Sequence, residues 1–164
     1  MTSGYSPKEL SFDEQGRAQL ISGIKKLSKA VKSTLGPNGN TVLIESPNHT
    51  HGLTVTKDGV TVAKSIDLID PIENLAVKIM RQAADRTATE AGDGTTTSIV
   101  LTESIIMNGL EYMNEKSLNR SQLLRELVEV SDKVVEILKK KSKKLTNTML
   151  ADVATISANN DKNI

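Results

Sequence analysis

The run Gly92-Asp93-Gly94-Thr95-Thr96-Thr97 concentrates more chemistry than any other stretch of this sequence. Its two glycines let the main chain come close to a ligand. The three threonines offer hydroxyls and amides where a helix is predicted to begin. The free N–H groups and dipole of a helix start favour an anion. A carboxylate does not suit a bare phosphate cradle, but Asp93 fits if a Mg2+ ion bridges it to phosphate oxygens. Without a ligand, the same string is a Gly-Asp turn with a threonine capping a helix. No G-x-x-x-x-G-K-[ST] occurs, which excludes a P-loop. Upstream, Thr34-Leu35-Gly36-Pro37-Asn38-Gly39 reads as a rigid turn at a helix C-terminus, and its plain meaning is a helix stop. Thr56-Lys57-Asp58-Gly59 puts a cation and a carboxylate on one turn. By itself that is a solvated turn; beside a phosphate site, Lys57 could hold phosphate and Asp58 could orient water.

The elements that must position these strings come from apolar periodicity. A helix is predicted over 11–34, with Ser11 and Glu14 forming a capping box and Leu20, Ile21, Ile24, Leu27, Val31 and Leu35 at helical spacing. Short strands over 41–45 and 53–56 make a hairpin, and Thr56 to Gly59 is a second turn. Pro71 suits the first turn of a helix that runs to about residue 90, with Ile72, Leu75, Ala76, Ile79, Met80, Ala83 and Ala84 on one stripe. The helix predicted over 95–113 is apolar most of the way round (Ile99, Val100, Leu101, Ile105, Ile106, Met107, Leu110), which predicts burial on several sides. Asn119 and Gln122 resemble a capping box for a helix to about residue 144, with Leu123, Leu127, Val130, Val134 and Leu138 as its inner face. A short helix over 147–155 follows. The predicted class is mainly α, a helical bundle with one small β-hairpin.

Composition excludes several functions. The 164 residues suffice for one domain, and 21 Lys+Arg against 20 Asp+Glu give a net charge of +1. That balance makes no electrostatic case for nucleic acid or an anionic membrane. Lysines 139–141, 143 and 144 end a helix, where cations favour the dipole. His49-Thr50-His51 lies in a polar loop with no third ligand in sight, and the chain has no cysteine. Glu9, Asp13 and Glu14 argue against a transit peptide, and no apolar run approaches membrane-spanning length. The expectation is a soluble cytoplasmic protein.

TLGPNGN, TKDG, AGDGTTTS and TISANND stand here in the order and near the spacing of the group I (bacterial GroEL-type) chaperonin motifs TLGPKGRN, TKDG, AGDGTTT and TISAN. From about Lys8 onward the chain resembles the N-terminal part of that family's equatorial, ATP-binding domain. The resemblance implies an equatorial-domain helical bundle, ATP and Mg2+ as cofactors, and a place in a ring of like subunits. It implies that Thr34, Leu35, Gly36 and Pro37 pack on the nucleotide and that Lys57 lies near its phosphates. It further implies that Asp93 coordinates Mg2+, with Gly94, Thr95, Thr96 and Thr97 on phosphate oxygens. Asp58 would help position the attacking water as the catalytic carboxylate, and Ser157 would lie close to the phosphates. Asn38, Asn40 and Thr41 replace the family's Lys, Arg and Asn, removing two cations.

The resemblance covers only the opening part of a chaperonin, residues 1–164 reaching the start of the intermediate domain. The apical domain, which in the family binds unfolded client proteins and the co-chaperonin, and the principal catalytic aspartate lie beyond it. Two functions compete. One is the ATP-binding part of a protein-folding machine. The other is a non-catalytic scaffold or interaction module derived from a chaperonin.

Overall fold

The computed structural model describes residues 10–36, 38–45, 52–116 and 119–157. The predicted class stands: helices dominate and one two-stranded antiparallel hairpin interrupts them. The order is α1 (Asp13–Lys32), β1 (Val42–Glu45), β2 (Leu53–Thr56), α2 (Gly59–Ser65), α3 (Pro71–Ala91), α4 (Thr95–Lys116), α5 (Arg120–Lys141) and α6 (Asn147–Ser157). The chain forms two compact units, Met1–Met107 and Asn108–Ile164, with the boundary inside α4.

The first unit owns the core. Ile24, Leu27 and Val31 of α1 meet Val62 and Ala63 of α2, Ala76, Val77, Met80 and Ala84 of α3, and Ile99 of α4. Leu27, Val31 and Val77 are fully buried. Each such side chain contributes about 1.5–3 kcal/mol relative to exposure. Polar pairs fix the α1–α3 seam. Asp70 caps α3 by accepting from the Ile72 and Glu73 amides, and its other oxygen accepts from Gln19 at 2.9 Å. Glu73 accepts from Ser22 at 2.7 Å and pairs with Lys26. Lys32 of α1 pairs with Glu103 of α4. The hairpin register is Val42↔Thr56 through Glu45↔Leu53. Val42 and Ile44 lean on the core, while Leu43 and Val55 face outward.

In the second unit α5 has no buried residue. Of the expected inner face, Leu127, Val130, Val134 and Leu138 are exposed and Leu123 is partly buried. Periodicity marked a stripe able to bury itself; among the described residues most of it goes uncovered.

Four local expectations are corrected. The capping box at Ser11 is absent: Phe12 takes the cap position without a side-chain bond, Ser11 Oγ donates to Gln19, and Glu14 turns to Arg17. Gln122 likewise pairs with Glu126, leaving Asn119 alone to cap α5 through the Ser121 amide. The turn at Asp58-Gly59 opens α2, a seven-residue helix too short for periodicity to reveal. The burial of α4 on several sides is not met: Ile99 is buried, but Leu101 and Ile105 are more than half exposed.

Candidate functional site

Three turns carry the predicted site residues other than Ser157, and each is built by local chemistry. At the end of α1, the Thr34 and Leu35 amides donate to the Val31 and Lys32 carbonyls, and the Thr34 hydroxyl donates to Val31 O at 2.8 Å. Gly36 has φ of 83°, and the turn closes by Gly39 N–H to Gly36 O and Asn40 N–H to Ser33 O. Leu35 is half-exposed. Pro37 lies outside the described residues.

At the second turn, Asp58 caps α2. Its Oδ1 accepts from the Val60 amide at 3.1 Å, and its Oδ2 accepts from the Thr61 amide at 3.0 Å and hydroxyl at 2.6 Å. The Asp58 amide donates to Thr56 Oγ1. Partial desolvation alone would raise the Asp58 pKa. The Thr61 and Val60 hydrogen bonds and the Lys64 charge outweigh it, and the carboxyl sits below its ordinary value. Thr61 was not singled out by sequence; the signal was its place three residues after an aspartate, a helix-cap spacing. Lys57 is exposed beside Asp58.

At the third turn, Gly92 caps α3 in the left-handed region, with its amide on Ala88 O. Gly94 has φ of 92°, and its amide donates to Asp93 Oδ1 at 2.6 Å. Nothing but Thr87 Cγ2 would crowd a side chain at Gly94, so the left-handed backbone explains this glycine better than lack of space does. Thr95 opens α4, so Asp93 lies just before the helix start, as expected. The amides of Thr95, Thr96 and Thr97 belong to the first turn, where no intrahelical acceptor exists. Thr95 is 3% exposed, and its Oγ1 has no hydrogen-bond partner among the described residues.

The turns meet at Gly59. A Cβ built there would lie 2.1 Å from Thr96 Oγ1 and 3.1 Å from Thr34 Oγ1. The first residue of α2 thus touches both the first turn of α4 and the turn that ends α1. Thr34, Asp58, Gly59, Thr95 and Thr96 come from segments far apart in sequence and are brought to one place. Ser157, the last residue of α6, is exposed and belongs to the second unit. Two surface grooves among the described residues line α3 (Arg81, Asp85, Arg86) and α1 (Ile21, Lys25, Lys29), and include none of these residues.

The residues fit a magnesium nucleotide. The orphan Thr95 hydroxyl and the first-turn amides of α4 are donors suited to phosphate. Among the described residues no three Asp, Glu, His or Cys side chains cluster as a metal cage. Asp93 is a single carboxylate at the helix start, the donor set of an ion that takes its other ligands from phosphate and water. Among the same residues, no helix is long and apolar enough to cross a membrane.

Residues 27–164 match the sequence model of the TCP-1/cpn60 chaperonin family, and the chain belongs to that family. Two crystal structures of the chaperonin gp146 from the Pseudomonas aeruginosa bacteriophage EL, obtained in the presence of ATP-BeFx, are similar to it. Crystal form II gives a TM-score of 0.76 at 31% identity over 90% of this chain. Crystal form I gives 0.76 at 30% over 91%. In both, the chain spans only 26% of the matched chain's length.

Proposed function

We propose that this chain is the N-terminal part of a group I-type chaperonin equatorial domain and that it binds ATP with Mg2+ at the junction of α1, α2 and α4. The single observation that carries the reading is the packing of Gly59 against Thr34 and Thr96, which draws three separate turns onto one helix start. Asp93 would hold Mg2+, and Gly94, Thr95, Thr96 and Thr97 would hold phosphate oxygens through amides and hydroxyls. Thr34, Leu35, Gly36 and Pro37 would border the nucleotide, with Lys57 near its phosphates. The metal, when bound, neutralises charge that builds on the transferred phosphoryl group. Asp58 stays ionised at neutral pH and, fixed by Thr61, orients water. The longer assembly would be a cytoplasmic homo-oligomeric ring, with client proteins and a co-chaperonin bound through parts outside these residues.

The non-catalytic scaffold reading has one observation in its favour. Both Asp58 oxygens are already engaged in capping α2, which leaves less capacity for a proton-transfer role. The two readings share nucleotide binding and differ in turnover. For a polypeptide of these 164 residues, titration calorimetry should show weak ATP binding that EDTA abolishes, with hydrolysis at background. Tight binding indifferent to EDTA would contradict the proposal.

A further inference from the structure

The motif glycines do not all serve the same purpose. Gly36, Gly92 and Gly94 have positive φ, but Gly59 does not. It is the first residue of α2, and its backbone is one any L-residue could adopt. What forbids a side chain there is contact: a Cβ would fall 2.1 Å from Thr96 Oγ1, 3.2 Å from Thr96 Cβ and 3.1 Å from Thr34 Oγ1. Neither neighbour retreats freely. The Thr34 hydroxyl is bonded to Val31 O. Thr96 is β-branched in a helix, where its rotamers are few. The residue before Gly59 is Asp58, whose carboxylate is pinned to Val60 and Thr61 of the same short helix. Any displacement of Gly59 from Thr96 therefore carries Asp58 with it.

We infer that Gly59 is a positioning residue and that its contact with Thr96 is a size-matched lock, which sets Asp58 and the phosphate-facing start of α4 in one register. The inference rests on the nucleotide reading for its consequence but not for its geometry. It gives Thr96 a first duty of packing, ahead of any direct contact with phosphate. It also has a signature a merely crowded glycine lacks: the damage done at position 59 should be undone at position 96. Removing Thr96 Oγ1 leaves Thr34 Oγ1 at 3.1 Å and Thr96 Cβ at 3.2 Å as the close neighbours, contacts that a shift of Gly59 by a few tenths of an ångström relieves.

The test is a cycle of Gly59→Ala, Thr96→Ala and the double variant in the 164-residue chain. It is read by melting temperature, by amide exchange at residues 94–98, and by Mg-ATP affinity under conditions where circular dichroism shows each variant folded. Gly59→Ala should lower the melting temperature, speed exchange at 94–98 and weaken ATP by about tenfold or more. The double variant should return to within about threefold of Thr96→Ala, a coupling of the size seen between touching residues. Additive losses, or a Gly59→Ala variant equal to wild type, overturn the lock. A wild-type chain that binds no ATP while melting and exchange still show compensation overturns the nucleotide reading and leaves the lock standing.

Discussion

Helix α1 and helix α5 carry similar apolar stripes, yet only one is buried. In α1, Leu27 and Val31 are sealed by α2, α3 and α4. In α5, Leu124, Val128 and Leu138 are each about 60% exposed, and no residue of the helix is fully buried. The difference lies in partners. Amphipathicity states that a face can be buried; only complementary faces elsewhere in the chain bury it. The three candidate phosphate turns all belong to the unit that has its own core. Side chains that must hold a charged ligand to within fractions of an ångström need such rigid support.

Core truncation should break this comparison most strongly. Leu27→Ala should cost about 2–5 kcal/mol, while Leu138→Ala stays within about 0.5 kcal/mol. Urea unfolding of both variants checks it; equal losses would mean that α5 is buried in solution. The exposed stripe of α5 should next drive self-association, because a contiguous apolar patch beyond a few hundred Å2 is unusual on a soluble monomer. Sedimentation should show mass rising with concentration, and Leu124→Glu with Val128→Glu should reduce it. A monomer mass throughout, without dye binding, would contradict this.

Smaller effects sharpen the same contrast. Asp58→Ala removes the cap of α2 and should cost about 1 kcal/mol. Stability should also depend on acid. Asp58 is lowered because hydrogen bonds outweigh its desolvation, Asp70 is lowered by the Glu73 amide first, and Glu73 by its Lys26 hydrogen bond first. The unfolded chain therefore binds more protons than the folded one. The contribution is present above the ordinary carboxylate values, about pH 4–4.5, and is lost as pH falls through the depressed folded values. Urea midpoints taken against pH should fall in that window, and Asp70→Asn should flatten the slope. The smallest effect belongs to the surface: Lys133→Ala, which removes an exposed pair with Glu129, should change stability by less than about 0.5 kcal/mol.

Much of this architecture was legible because long periodic helices announce themselves. The stripes of α1 and α3 and the Gly92-Asp93-Gly94 break predicted their elements within a few residues. The convergence of the turns was not legible from periodicity or spacing, since it depends on tertiary packing that brings Gly59 of α2 against Thr96 of α4; only the resemblance pointed to it. Helix α2 was missed because seven residues hold too little period, although Asp58 and Thr61 stood at cap spacing. The Ser11–Glu14 box failed because nearby Gln19 and Arg17 offered those side chains other partners. Periodicity was silent on burial, so most of the inner face assigned to α5 proved exposed, Leu123 alone being partly buried.

The central claim is that three distant turns form one magnesium-nucleotide site within the first unit. Amide chemical-shift mapping tests it most directly. Adding ATP and Mg2+ to the labelled chain should shift amides of Thr34, Gly36, Asp58, Gly59 and Thr95 to Thr97 together. It should leave α5 unmoved and lose its effect in Asp93→Ala. Shifts confined to one turn, or spread over the lysines that end α5, would contradict the account.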